Sequence, residues 1–153
     1  MKSHPMKEAN FIILENGIIS AVFKDGSGWE LPVSEIALIG EYSTEEGPGV
    51  DDYFLCLVDN NGSIYTIGSE EGAFRLIDDL TKFWGVDLDP RLNLCTNNES
   101  RILFPFKEKG KALFDFVDCV PKSLIERLKL IFMKRQEMKF SSTANKIIQN
   151  VKC

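Results

Sequence analysis

Glu41, Glu45, Glu46, Asp51 and Asp52 put five carboxylates into twelve positions around Gly47-Pro48-Gly49. Oxygens at that density are what a hard cation such as calcium takes. Their order is not that of an EF-hand loop, and Asp59-Asn60-Asn61-Gly62 lacks the distal glutamate such a loop needs. The expectation is a solvated acidic loop with no bound metal. Two adjacent pairs, Asp51/Asp52 and Asp78/Asp79, are groups suited to general acid–base work. Sequence neighbours on a strand or helix point in different directions, which argues against their sharing one site. The single histidine, His4, is a poor candidate for the positioned imidazole that Ser/His/Asp and Cys/His catalysis requires. Cys56, Cys95, Cys119 and Cys153 are separated by 39, 24 and 34 positions, so no CxxC pair exists and a zinc site has little support. There is neither a Walker-type phosphate loop nor a dinucleotide-binding glycine fingerprint. The chain reads as no enzyme, with no cofactor.

The elements that must position these residues follow from punctuation and period. Phe11–Leu14 and Ile18–Phe23 flank Asn16-Gly17, the strongest short hairpin signal. Asp25-Gly26-Ser27-Gly28 turns into Trp29–Val33, and Glu35–Tyr42 is a further strand. Tyr53–Val58 and Ser63–Ile67 form a second hairpin around Asp59–Gly62. Their partly continuous apolar runs imply cover on both faces. The period then becomes helical at Ala73, Ile77, Leu80 and Trp84, with Ser69 as N-cap and Gly85 as stop. Arg101–Phe104 and Lys111–Val117 read as a strand pair around Glu108-Lys109-Gly110, with Pro105 placing the first at an edge or cutting it short. Ser123-Leu124-Ile125-Glu126 matches a capping box, so a helix is expected from about Leu124 to Lys139, with a short one over Ala144–Val151.

These 153 residues suit one α+β domain over residues 1–120, an antiparallel sheet or partly open barrel with one packed amphipathic helix. Residues 121–153 form a basic C-terminal helical extension. No run approaches the 18 apolar residues of a membrane span, and the first eight residues lack a signal peptide's apolar core. Free thiols of the small-hydrophobe kind then suit a cytoplasmic protein.

The net charge of −5 is unevenly spread. Residues 1–120 carry 10 Lys/Arg against 21 Asp/Glu, and residues 121–153 carry 8 against 2. An acidic body with a basic tail suggests an interaction surface or self-attraction. Leu124, Leu128, Ile131 and Phe132 give the tail an apolar stripe beside Lys129, Lys134, Arg135 and Lys139. Packing on the body, contact with a partner or second copy, and docking on an anionic membrane surface are the three uses of such a helix. Nucleic acid is not expected, since the acidic body repels phosphate.

Trp29, Glu35-Ile36, Thr44, Gly47-Pro48, Asp51-Asp52, Tyr53-Phe54, Ile64–Ile67 and Leu76–Leu80 occur in an order that resembles an uncharacterised family of small bacterial proteins. That family's pattern is Thr-x-x-Gly-Pro-x-x-acidic-Asp-aromatic-Phe, followed by an aliphatic hairpin and a Leu-rich helix. The resemblance covers about residues 29–106, with Gly49 where an aromatic is common. It implies bacterial origin and the α+β fold, and transfers no catalytic residue. The strand succession is also similar to pleckstrin-homology-type barrels, in which the helix comes last.

The functional expectation is a non-catalytic bacterial binding or regulatory protein acting through protein–protein contacts or self-association, with an immunity-like role as one version. Its candidate binding residues are Thr44, Glu45, Glu46, Asp51, Asp52 and Tyr53 in the loop, and Lys129, Lys134, Arg135 and Lys139 in the tail. Peripheral membrane association through the basic helix is the alternative.

Overall fold

The computed structural model describes residues 9–44, 53–92, 97–118 and 136–151. Strands β1 (Ala9–Glu15), β2 (Ile18–Phe23) and β3 (Gly28–Pro32) form an antiparallel meander. Its first turn is tight because Asn16 and Gly17 both take positive φ, 52° and 75°, the geometry that matches strand twist. At the second turn the Asp25 carboxylate accepts from Ser27 N at 2.9 Å.

A second antiparallel sheet has the order β6-β5-β4-β7, from β4 (Ile36–Ser43), β5 (Tyr53–Asp59), β6 (Ile64–Gly68) and β7 (Glu99–Phe104). Every residue of β4 and β5 is buried, as their unbroken apolar runs require of strands covered on both faces. Asp59 closes the β5–β6 hairpin by accepting from Asn61 N and Ser63 N, each at 2.8 Å, and from Tyr65 Oη at 3.2 Å.

This sheet is the middle layer. On one face Ile39, Tyr53, Leu55 and Leu57 meet Ile12, Ile19 and Leu31 of the meander and Ala73, Leu76, Ile77 and Leu80 of helix α1 (Ala73–Trp84). Each fully buried aliphatic side chain there contributes about 1.5–3 kcal/mol. On the other face Leu38, Tyr42, Phe54, Cys56 and Val58 meet Leu113 and, from helix α2 (Ser142–Val151), Ala144 and Ile148. Gly40 admits Leu113, since a Cβ at that position would lie 2.4 Å from Leu113 Cδ2. The mixed α and β content with open sheets, and no closed barrel among the described residues, is the α+β reading of the sequence.

Helix α1 stops where expected, with Gly85 at φ 68° and its N–H on Thr81 O. Its start differs. Ser69 opens a 3-10 turn, Ser69–Glu71, whose Glu71 carboxylate accepts from Gly68 N at 2.9 Å, and Gly72 at φ 105° separates that turn from α1. Helix α2 is capped by Ser141, whose Oγ accepts from Ala144 N at 3.1 Å.

Two expectations about the second half are corrected. The segments around Glu108-Lys109-Gly110 do not form a ladder with each other. β7 is an edge strand paired with β4, ending at Phe104 just before Pro105, and the returning chain touches it through Ile102 N to Lys111 O and Gly110 N to Ile102 O. Ser100 Oγ then accepts from Phe114 N at 2.8 Å, where a ladder would need a backbone carbonyl. Strand β8 (Phe114–Asp118) pairs instead with β9 (Gln136–Phe140). Residues 136–140, expected to lie in the helix reaching Lys139, are therefore a strand. The period-two pattern Met138-Lys139-Phe140 prevails there, because it sets Met138 opposite Phe116 and Phe140 opposite Phe114, with the latter rings stacked at 4.9 Å. The rest of that expected helix, with its capping box, lies outside the described residues.

Candidate functional site: a buried carboxylate clamp and an aromatic surface

Of the ten candidate binding residues, the structure describes three. Thr44 follows the end of β4 and Tyr53 begins β5, so they bracket the acidic loop. Lys139 sits on strand β9 opposite Asp115, on a strand and not the expected helix. Glu45, Glu46, Asp51, Asp52, Lys129, Lys134 and Arg135 lie outside the described residues. Thr44 and Lys139 do not share a cluster with Tyr53 in any described contact.

Tyr53 belongs to a cluster built on Glu41. Read from sequence, Glu41 is part of an acidic rim, but the structure buries it completely. Alternation along β4 explains this. Ile39 faces the α1 side, so Glu41, two residues on, faces it too and meets Tyr53 of β5. A carboxylate there must be fully partnered to be tolerated. Its Oε1 accepts from Arg91 N at 2.9 Å and lies 3.5 Å from Arg101 Nη1. Its Oε2 accepts from Tyr53 Oη at 3.0 Å and Leu92 N at 3.3 Å. Arg101, on β7, donates also to Asp89 O at 3.0 Å.

The clamp pins the segment after α1 onto the core. Leu88 and Leu92 enter the first core, Leu88 N donates to Thr81 Oγ1, and Arg91 and Leu92 present their N–H groups to Glu41. Outside the clamp, Asp89 accepts from Arg91 Nε at 3.0 Å. That bond chiefly, with smaller help from the charges of Arg91, Lys109 and Arg101, holds the Asp89 carboxyl below its ordinary range. Burial first, then the charge and hydrogen bond of Glu41, push the Tyr53 phenol well above its usual value. Burial alone pushes the Cys56 thiol up to about 12, so it has the character of a core hydrophobe and not of a nucleophile.

The clamp is sealed chemistry: both oxygens of Glu41 are engaged by groups of its own chain. Among the described residues no group of three or more His, Cys, Asp or Glu could hold a metal ion. Sequence reasoning passed over Asp89, Arg91 and Arg101. The signal available was Glu41 itself, a charge inside Ile36–Tyr42, which a doubly covered strand can hold only against a buried cation and donors.

The accessible feature is aromatic. Trp84 stacks on Phe104 at 5.0 Å between ring centroids, and Phe106 meets both edge-on, at 6.2 and 5.4 Å. Phe83 lies against Gly17 in the β1–β2 turn and is 52% exposed. Val86 and Phe106 are exposed as well. The C-terminal end of α1, the end of β7 and the turn after it thus bring Trp84, Phe104 and Phe106 into one ring cluster, Trp84 and Phe104 half-buried against the first core and Phe106 exposed. No family model, curated protein or solved structure matches this chain.

Proposed function

We propose that the chain is a non-catalytic binding or regulatory protein that acts through protein–protein contacts in the bacterial cytoplasm, with neutralisation of a toxin partner as its most concrete form. The exposed rings of Phe83 and Phe106, the latter set against half-buried Trp84 and Phe104, carry this reading. Exposed aromatic side chains mark contact surfaces, and aromatic side chains dominate the energetics of interfaces. The charge balance adds direction. Residues 1–120, with 21 acidic against 10 basic side chains, would draw in a basic target.

The test is affinity capture from host extract at low salt, using the full chain and the double variant Phe83→Ser, Phe106→Ser. Both side chains are exposed, so the fold should survive, which circular dichroism would check. A partner retained by the wild type and lost from the folded double variant supports the reading. Identical capture profiles from the two proteins would refute it.

A further inference from the structure

We infer that the open edge of the Arg101 guanidinium is a binding site for an oxyanion, either a phosphate or a carboxylate group. Arg101 is held from one side only. Nη1 is engaged by Glu41 Oε1 and the Asp89 carbonyl, and the side chain is only 17% exposed. Nε and Nη2, the other edge of the fork, have no partner among the described residues. Neither is among the buried polar atoms sealed without one, so both reach solvent. A guanidinium normally spends this edge on two parallel bonds to one oxyanion.

Gly110 keeps the edge open. It turns the chain at φ 89°, and a Cβ at this position would lie 3.8 Å from Nη2 and 4.0 Å from Nε. A side chain there would begin in van der Waals contact with the fork. Next to it, Lys109 Nζ is anchored 3.1 Å from Asp87 O, and Arg91 is tied to Asp89 at 2.9 Å. Three cations, Arg91, Arg101 and Lys109, stand here with three carboxylates, Glu41, Asp87 and Asp89, a local balance on an otherwise acidic body. The anion would complete a site whose orientation the buried clamp has already set, which lowers the ordering cost of binding. This inference does not depend on the protein-partner reading, because its ligand is a small anion.

The experiment is NMR of the full, 15N-labelled chain at constant ionic strength, titrated with sodium phosphate in one arm and sodium acetate in the other. The expected result is a saturable shift of the Arg101 Nε–H and Gly110 N–H signals. Response to phosphate alone assigns the site to phosphate groups, and response to both assigns it to carboxylates as well. Arg101→Lys keeps the charge but not the fork, and should abolish the saturable shift. Lys109→Gln should weaken binding about two- to fivefold, as expected of a partly exposed charge. If Arg101→Lys fails to fold, the Nε–H shift and its weakening in Lys109→Gln still decide the matter. An unshifted Nε–H in both arms, small changes spread evenly over all basic residues, or unaltered affinity in Lys109→Gln would each overturn the site.

Discussion

Replacing Glu41 with Gln tests whether the buried carboxylate holds the segment after α1 in place. The change is nearly isosteric, so packing in the first core is retained and the effect is electrostatic. Glu41 now serves four donors, Arg91 N and Arg101 Nη1 on one oxygen, Tyr53 Oη and Leu92 N on the other. The amide of Gln can keep its oxygen toward the first pair, and the Tyr53 hydroxyl can rotate to accept. Leu92 N is then left facing a donor, at a cost of about 1–3 kcal/mol for an orphaned buried group. The bonds that remain lose their ionic assistance, and Arg101 loses its counter-charge. Breaking a buried pair costs about 3–5 kcal/mol, but the 3.5 Å separation and residual exposure of Arg101 put this pair below that range. The total is about 2–4 kcal/mol, equivalent to roughly 4–16 °C in Tm for a chain of this size. Urea unfolding followed by circular dichroism measures the first quantity, and limited proteolysis near Arg91 should show that segment opening before the rest. A Glu41→Gln protein within about 0.5 kcal/mol of wild type, with no new cleavage near Arg91, would refute the clamp.

The Tyr53 phenol, raised above its ordinary 10.0, is kept neutral by the fold, so the unfolded chain gives up this proton first. Stability is therefore complete below about pH 10 and falls as pH rises beyond it; Tyr53→Phe should flatten that alkaline loss while costing about 1 kcal/mol at pH 7, read by urea midpoints across pH 8–11. Cys56, with its thiol pushed up to about 12 and its side chain buried, should stay unlabelled by iodoacetamide at pH 8 until urea unfolds the chain, as peptide mass spectrometry would report. Gly40→Ala should destabilise by about 1–3 kcal/mol through overpacking against Leu113, and Leu113→Ala alone by about 2–5 kcal/mol. The double variant should cost less than the sum of the two, since the second change empties the space the first one fills; additive costs would contradict the contact.

Local signals were readable and non-local choices were not. Asn16-Gly17 and Gly85 act through the conformations that their own backbones take, so the sequence announces the first hairpin and the end of α1. The partner of β7 depends on which strand offers a free edge, and β4 offers one that lies far away in sequence. The segment after Gly110 looked like the natural partner because it is near, yet Ser100 Oγ occupies the Phe114 backbone N–H and β8 goes on to join β9. Strand β9 was hidden for another reason. Five residues with period two sit at the end of a stretch rich in helix formers, and only the facing Phe114 and Phe116 make the strand the better choice. In the site, Tyr53 was legible as a loop-flanking residue, but its work is done inward, with Glu41, and not outward in the loop.

That inward direction makes the clamp more than a stabilising pair. Glu41 stands three residues before Thr44, and Tyr53 directly follows the acidic loop, so one hydrogen bond joins the two stems from which that loop departs. The same carboxylate fixes Arg91 and Leu92 by their backbones and turns Nη1 of Arg101 inward. The stems of the loop, the segment that carries Asp89, and the open fork of Arg101 thus share a single buried anion. A perturbation that loosens Glu41 must be felt at all three. Tyr53→Phe, which removes one donor and leaves Arg101 and both backbone bonds intact, should weaken the loop stems while preserving the anion response of Arg101. Glu41→Gln should weaken both together. Equal effects of the two variants on the Arg101 Nε–H titration would show that the stems and the fork are not separately held.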